Sequence, residues 1–154
     1  MLETKNTLKA ETLERLQDLV QINLDSQNGF KEVAEKVEDA SLARMFREYA
    51  AERGAQASEL KTLVETNGEE ATDSGSVAAA AHRAWIDLKA AFTSGGSHAL
   101  LAEAERGEDQ IKHKYEDVLK ETAGSAVNDV LQRQYAAVKS SHDRIKALRD
   151  AAKT

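Results

Sequence analysis

Apolar residues recur along the chain in alternating steps of three and four, the spacing that lines one face of an α-helix. The first such seam reads Leu13, Leu16, Val20, Asn23, Gln27, Phe30, Ala34, Val37. The second reads Leu42, Phe46, Tyr49, Arg53, Gln56, Leu60, Leu63. Asp39 or Ser41 can cap the second helix at its start. Gly68, after Asn67, supplies a left-handed stop at its end. The pattern predicts a long antiparallel hairpin with its turn near 38–40.

Residues 69–76 are a loop by composition. A shorter helix is predicted next, with Val77, Ala81, Ala84, Trp85, Leu88 and Phe92 on one side. Thr93-Ser94-Gly95-Gly96 ends it, and Ser97 is placed to cap a helix running to about Thr122. That helix has the seam Leu101, Ala104, Glu108, Ile111, Tyr115, Val118. Gly124-Ser125 joins a stop to a new cap, and the last seam is Val127, Leu131, Gln134, Val138, Ser141, Ile145, Leu148, Ala152. The expectation is one all-α domain over residues 1–154, with four long helices. The stretch of about 69–96 is too long for a turn and suits a crossover running the length of a bundle, carrying the short extra helix.

Composition agrees with this pattern. The chain has no proline, and its aromatic content is only 5 %. Its commonest residues lose little side-chain freedom in a helix. The net charge of −6 disfavours a nucleic-acid partner. Absence of cysteine removes disulfides, thiolate metal sites and cysteine nucleophiles together. Met1-Leu2-Glu3-Thr4-Lys5-Asn6 has no apolar leader character, and no apolar run reaches the ~20 residues of a membrane span. A cytoplasmic location without membrane partners is expected.

The seams turn polar at their middles. Helix midpoints fall near Ile22, Arg53, Asp109 and Lys139, so Asn23, Arg53, Gln56 and Glu108 share one level. A carboxylate on an apolar seam is buried and paired, or holds a metal, or marks a rotated helix. Gly54 and Gly107 adjoin Arg53 and Glu108 inside helices, where each costs about 1 kcal/mol relative to alanine. Close helix packing is the ordinary reason for such glycines.

Several stretches resemble an uncharacterised bacterial family of ferritin-like four-helix-bundle proteins of unknown function. They are Gly29-Phe30, Glu52-Arg53 with Glu59-Leu60, Gly75-Ser76-Val77 through His82-Arg83-Ala84-Trp85, the run Glu103 to Asp109, Tyr115, Gln134-Tyr135 and His142 to Ile145. The resemblance implies a ferritin-like bundle. Members of that superfamily with a di-metal centre carry a Glu on the first and third helices and Glu-x-x-His on the others. Carried over, the first helix offers Val20 or Asn23, the second Arg53-x-x-Gln56, the third Glu108, the fourth Val138-x-x-Ser141. One ligand of six survives.

A guanidinium repels a cation and can neutralise a carboxylate through two parallel hydrogen bonds. The expectation is a buried Arg53–Glu108 pair replacing the metal, with Asn23 and Gln56 completing its hydrogen bonds and no cofactor. The rival arrangement rotates the seam by one residue. It sets Asp25 beside Glu52 across the first hairpin and Glu105 beside His142 across the second. With Glu108 these are ligands for iron, manganese or zinc. Trp85, near His82, is expected to seal the crossover helix onto the bundle. The functional expectation is a non-enzymatic protein acting through protein contacts or self-association, with a role in stress as a further one. The alternative is a metal-binding carboxylate protein that handles iron or peroxide.

Overall fold

The computed structural model describes residues 3–71 and 97–152. Those residues form four long helices, α1 (Ala10–Lys36), α2 (Ala40–Thr66), α3 (Ser97–Glu121) and α4 (Asn128–Ala151). No strand occurs among them; Thr4 and Thr7 form an isolated bridge. No described helix is long and apolar enough to cross a membrane. The short helix expected within 69–96, with Trp85 and His82, lies outside the described residues.

The helix ends follow from local chemistry. Asp39 caps α2 by accepting the Leu42 N–H at 2.9 Å. Gly68 and Gly124 follow α2 and α3 with φ of 82° and 81°, a left-handed conformation that a Cβ disfavours. The start of α1 has no cap of its own, since Lys9 stands at that position. Glu3 supplies one from outside the helix. Its carboxylate accepts from Lys9 N at 2.8 Å and Thr12 Oγ1 at 2.9 Å. It also accepts from Ser125 Oγ at 2.7 Å and Ala126 N at 3.0 Å, just before α4. Ser125 Oγ also accepts from Val127 N at 3.3 Å, but α4 itself begins at Asn128, with Val127 at its N-cap and no side-chain cap, rather than directly after Ser125 as the sequence predicts.

Cross-helix contacts fix the directions. Leu8 N donates to Asn67 Oδ1 at 2.8 Å, so the start of α1 meets the end of α2. Arg15 reaches Glu121 at 3.1 Å and Asn23 reaches Tyr115 at 2.8 Å, so α3 runs against α1. Glu59 meets Arg133 and Arg53 meets Ser141, so α4 runs against α2. It follows that α2 and α3 run the same way, and that the end of α2 and the start of α3 lie at opposite ends of the structure.

The interior has two apolar cores. One holds Leu16, Leu19, Val20, Leu60, Val64, Ile111, Val118, Leu131 and Val138 among others. The other is built around Phe30, Phe46 and Tyr49 with Leu100, Leu101, Ala104 and Ile145. Phe30 stacks on Phe46 with ring centroids 5.7 Å apart. Between the two cores each helix contributes buried polar residues: Asn23 and Ser26 on α1, Arg53 and Gln56 on α2, Glu108 on α3, Ser141 on α4.

Candidate functional site

Arg53 and Glu108 come from the middles of α2 and α3, which are diagonal partners in the packing. Both are fully removed from solvent, at 0 % exposure. Arg53 Nη2 donates to Glu108 Oε2 at 2.8 Å and Oε1 at 3.1 Å. One nitrogen therefore serves both oxygens, rather than two nitrogens in parallel. The reason is Glu52, whose carboxylate takes Nη1 at 2.5 Å. Ser141 completes the group: it accepts from Arg53 Nη2 at 2.5 Å and donates to Glu108 Oε2.

The electrostatics follow from burial. Burial lowers the affinity of Arg53 for its proton, but Glu108 and Glu52 outweigh it and hold the guanidinium above its ordinary range. Burial pushes the Glu108 carboxyl up, against the pull of Arg53 and Ser141. The site is an arginine–carboxylate pair with no solvent exposure, held by positioned hydrogen-bond partners.

Asn23 and Gln56 are buried at the same level but do not complete that pair. The Asn23 amide donates to Leu19 O and to Tyr115 Oη, each at 2.8 Å. Tyr115 Oη donates to Gln134 Oε1 at 2.7 Å, and Gln134 Nε2 donates to Glu59 Oε1 at 2.7 Å. Gln56 Nε2 donates to the Gln134 carbonyl at 3.3 Å. These amides, with Tyr115 and Gln134, form a second network. Among the described residues, Asn23 Oδ1, Ser26 Oγ, Arg53 Nε and Gln56 Oε1 are buried without a hydrogen-bond partner. A cleft of ≈ 430 Å³ between α2 and α4, lined by Glu52, Gln56, Glu59, Arg133 and Gln134, leads to this level.

The flanking carboxylates divide. Asp25 is half-buried on α1, Glu52 and Glu108 belong to the Arg53 group, and none of the three joins Glu105 and His142. Glu105 Oε1 lies 3.9 Å from His142 Nε2, and both residues are more than nine-tenths buried. The seam is not rotated: Glu105 and Glu108, three apart on α3, are both turned inward. The third member of the cluster is Asp109, whose Oδ1 lies 2.6 Å from His142 Nε2. Sequence reasoning missed it. Its signal was the i, i+4 spacing from Glu105, which sets both carboxylates on one helix face.

Arg149 Nη1 bonds Glu105 Oε2, and Asp143 Oδ1 lies 3.1 Å from His142 Nδ1. Each inner member of the cluster therefore has a charged neighbour that orients it.

No curated protein matches the chain. A family model described as a domain of unknown function matches residues 11–121, which include Arg53, Glu105, Glu108 and Asp109 but stop short of Ser141 and His142. The match covers well over half of the chain, which therefore belongs to the family of that domain, DUF2383.

Proposed function

We propose that this is a non-enzymatic ferritin-like bundle protein that acts through protein contacts, self-association first among them. In this reading an ion pair stands where a di-metal centre would lie. The observation that carries it is the contact of Arg53 with Glu108 at 2.8 Å with neither side chain exposed. Ferritin-like proteins join two antiparallel helix pairs by one long crossover and hold their metals at mid-bundle. The helix directions here support that arrangement, since α2 and α3 are parallel.

The residues at mid-height do not fit a di-metal centre. A fixed guanidinium occupies the carboxylate that would be a ligand, and Asn23, Gln56 and Ser141 stand at the other seam positions. Neutral amides and a hydroxyl are poor substitutes for carboxylate and imidazole in holding two cations. Light scattering across a concentration series tests association: a concentration-dependent oligomer supports the reading, and a strict monomer overturns it. Iron loading tests the interior. Uptake of two ions per chain that Glu108→Gln abolishes would overturn the replacement of the metal.

A further inference from the structure

His142 has a carboxylate against each ring nitrogen. Asp143 Oδ1 lies 3.1 Å from Nδ1, and Asp109 Oδ1 lies 2.6 Å from Nε2. A neutral imidazole donates from one nitrogen only. With Nδ1–H pointing at Asp143, the Nε2 lone pair faces a carboxylate oxygen at hydrogen-bond distance. Two lone pairs do not rest there unaided; a proton or a metal cation has to lie between them. Glu105 Oε1 points at the same place from 3.9 Å and accepts no hydrogen bond among the described residues.

We propose that Glu105, Asp109 and His142 form a mononuclear site for a divalent first-row transition cation on the α3–α4 face. It is separate from the Arg53–Glu108 pair and does not depend on the function proposed above. The three ligand atoms lie within 4.8 Å of one another. Bonds of about 2.1 Å to one ion would set such atoms roughly 3–3.5 Å apart. The observed 2.6 and 3.9 Å straddle that range, so side-chain shifts of less than an ångström or so close the site.

Charge and surroundings favour the cation. Two carboxylates, Glu105 and Asp109, converge on His142 Nε2, and Arg149, which bonds Glu105, is shared with Asp150, so the charge at the convergence point favours a cation. One imidazole with two carboxylates suits zinc, manganese or iron(II) rather than a soft ion. In the Nδ1–H tautomer Asp143 accepts that proton and the Nε2 lone pair is turned to the cation, while Arg149 holds Glu105, the orienting pattern that metal ligands require. Glu105 and His142 are buried while the Asp109 side chain is 42 % exposed, so the ion keeps open positions toward solvent.

Titration of Zn²⁺ or Mn²⁺ into the chelator-treated full chain, followed by calorimetry, tests the site. One ion per chain is expected. Asp109→Asn and His142→Ala should each weaken binding at least about tenfold, and Asp143→Asn about tenfold through the tautomer. Glu14→Gln, at an exposed carboxylate on α1 outside both sites, should leave the binding unchanged. Zn²⁺, which is diamagnetic, should also shift the imidazole NMR signals of His142 far more than those of His98 and His113. Absence of saturable binding, or binding unchanged in Asp109→Asn, would overturn the proposal. That exposed variant keeps the test open should His142→Ala fail to fold.

Discussion

Arg53 and Glu108 meet across the diagonal of the four helices, through a single guanidinium nitrogen that serves both carboxylate oxygens at 2.8 and 3.1 Å. The second nitrogen is spoken for by Glu52. The pair is thus the centre of a four-residue group with Ser141, and its energetics belong to the group.

Glu108→Ala leaves a guanidinium buried with only Glu52 and Ser141 as partners. Breaking a buried pair costs about 3–5 kcal/mol, whereas replacing both partners by apolar residues is often neutral. Each kcal/mol moves the melting temperature by about 2–4 °C in a chain of this size. Thermal melts should therefore show a large fall for Glu108→Ala and a much smaller one for Arg53→Met with Glu108→Leu. An unchanged single mutant would refute the burial.

Glu3 ties the N-terminal segment to the starts of α1 and α4. Burial works to raise its carboxyl, but the donors from Ser125, Lys9, Ala126 and Thr12 prevail and bring it from 4.5 to about 2. A carboxyl lowered on folding adds stability that is present above its unfolded value and lost as pH falls through the folded one. That window runs from 4.5 down to about 2. Glu3→Gln should reduce stability at neutral pH and flatten the acid-unfolding curve across that window, as followed by circular dichroism.

The three tyrosines shift upward together. Burial raises Tyr49 and Tyr115, and the hydrogen bond to Glu116 pushes Tyr135 up to about 12. Their phenols stay neutral in the folded chain after an unfolded chain would ionise them. The stability they contribute is complete below the ordinary 10.0 and is lost as pH climbs through the folded values. Ultraviolet titration should show less phenolate near pH 10 in the native protein than in the unfolded chain, then ionisation coincident with unfolding. Tyr115→Phe should separately cost about 1–3 kcal/mol, because it strands Gln134 Oε1 in the interior.

Gly54 sits where α2 approaches α1, and a methyl there would strike the side-chain amide of Gln27. Alanine gains about 1 kcal/mol in helix propensity, offset by moving that amide. Gly54→Ala should stabilise more in a Gln27→Ala background than in the native chain. Denaturant midpoints of the four proteins of that cycle check it.

Much of this arrangement was legible in the residues. The seams place all four described helices, Asp39 and the two glycines mark their ends, and the polar midpoints put Arg53 and Glu108 on one level. What periodicity cannot carry is the choice among neighbours at that level. Glu52 and Ser141, not Asn23 and Gln56, surround the guanidinium, because side-chain reach across helices depends on rotation by fractions of a turn. Glu3 was invisible for another reason. It bonds residues more than a hundred positions away from an irregular segment that has no period to read.

The polar layer between the two apolar cores also acts as a ruler. One turn of helix is about 5.4 Å. Sliding any one helix by that amount would bring an apolar side chain against Arg53 or Glu108 and carry a polar group into Leu-, Ile- and Phe-lined space. The alternative alignments that a Leu- and Ala-rich sequence would otherwise tolerate are thereby disfavoured, and the four helices have one vertical setting in which Arg53 meets Glu52, Glu108 and Ser141.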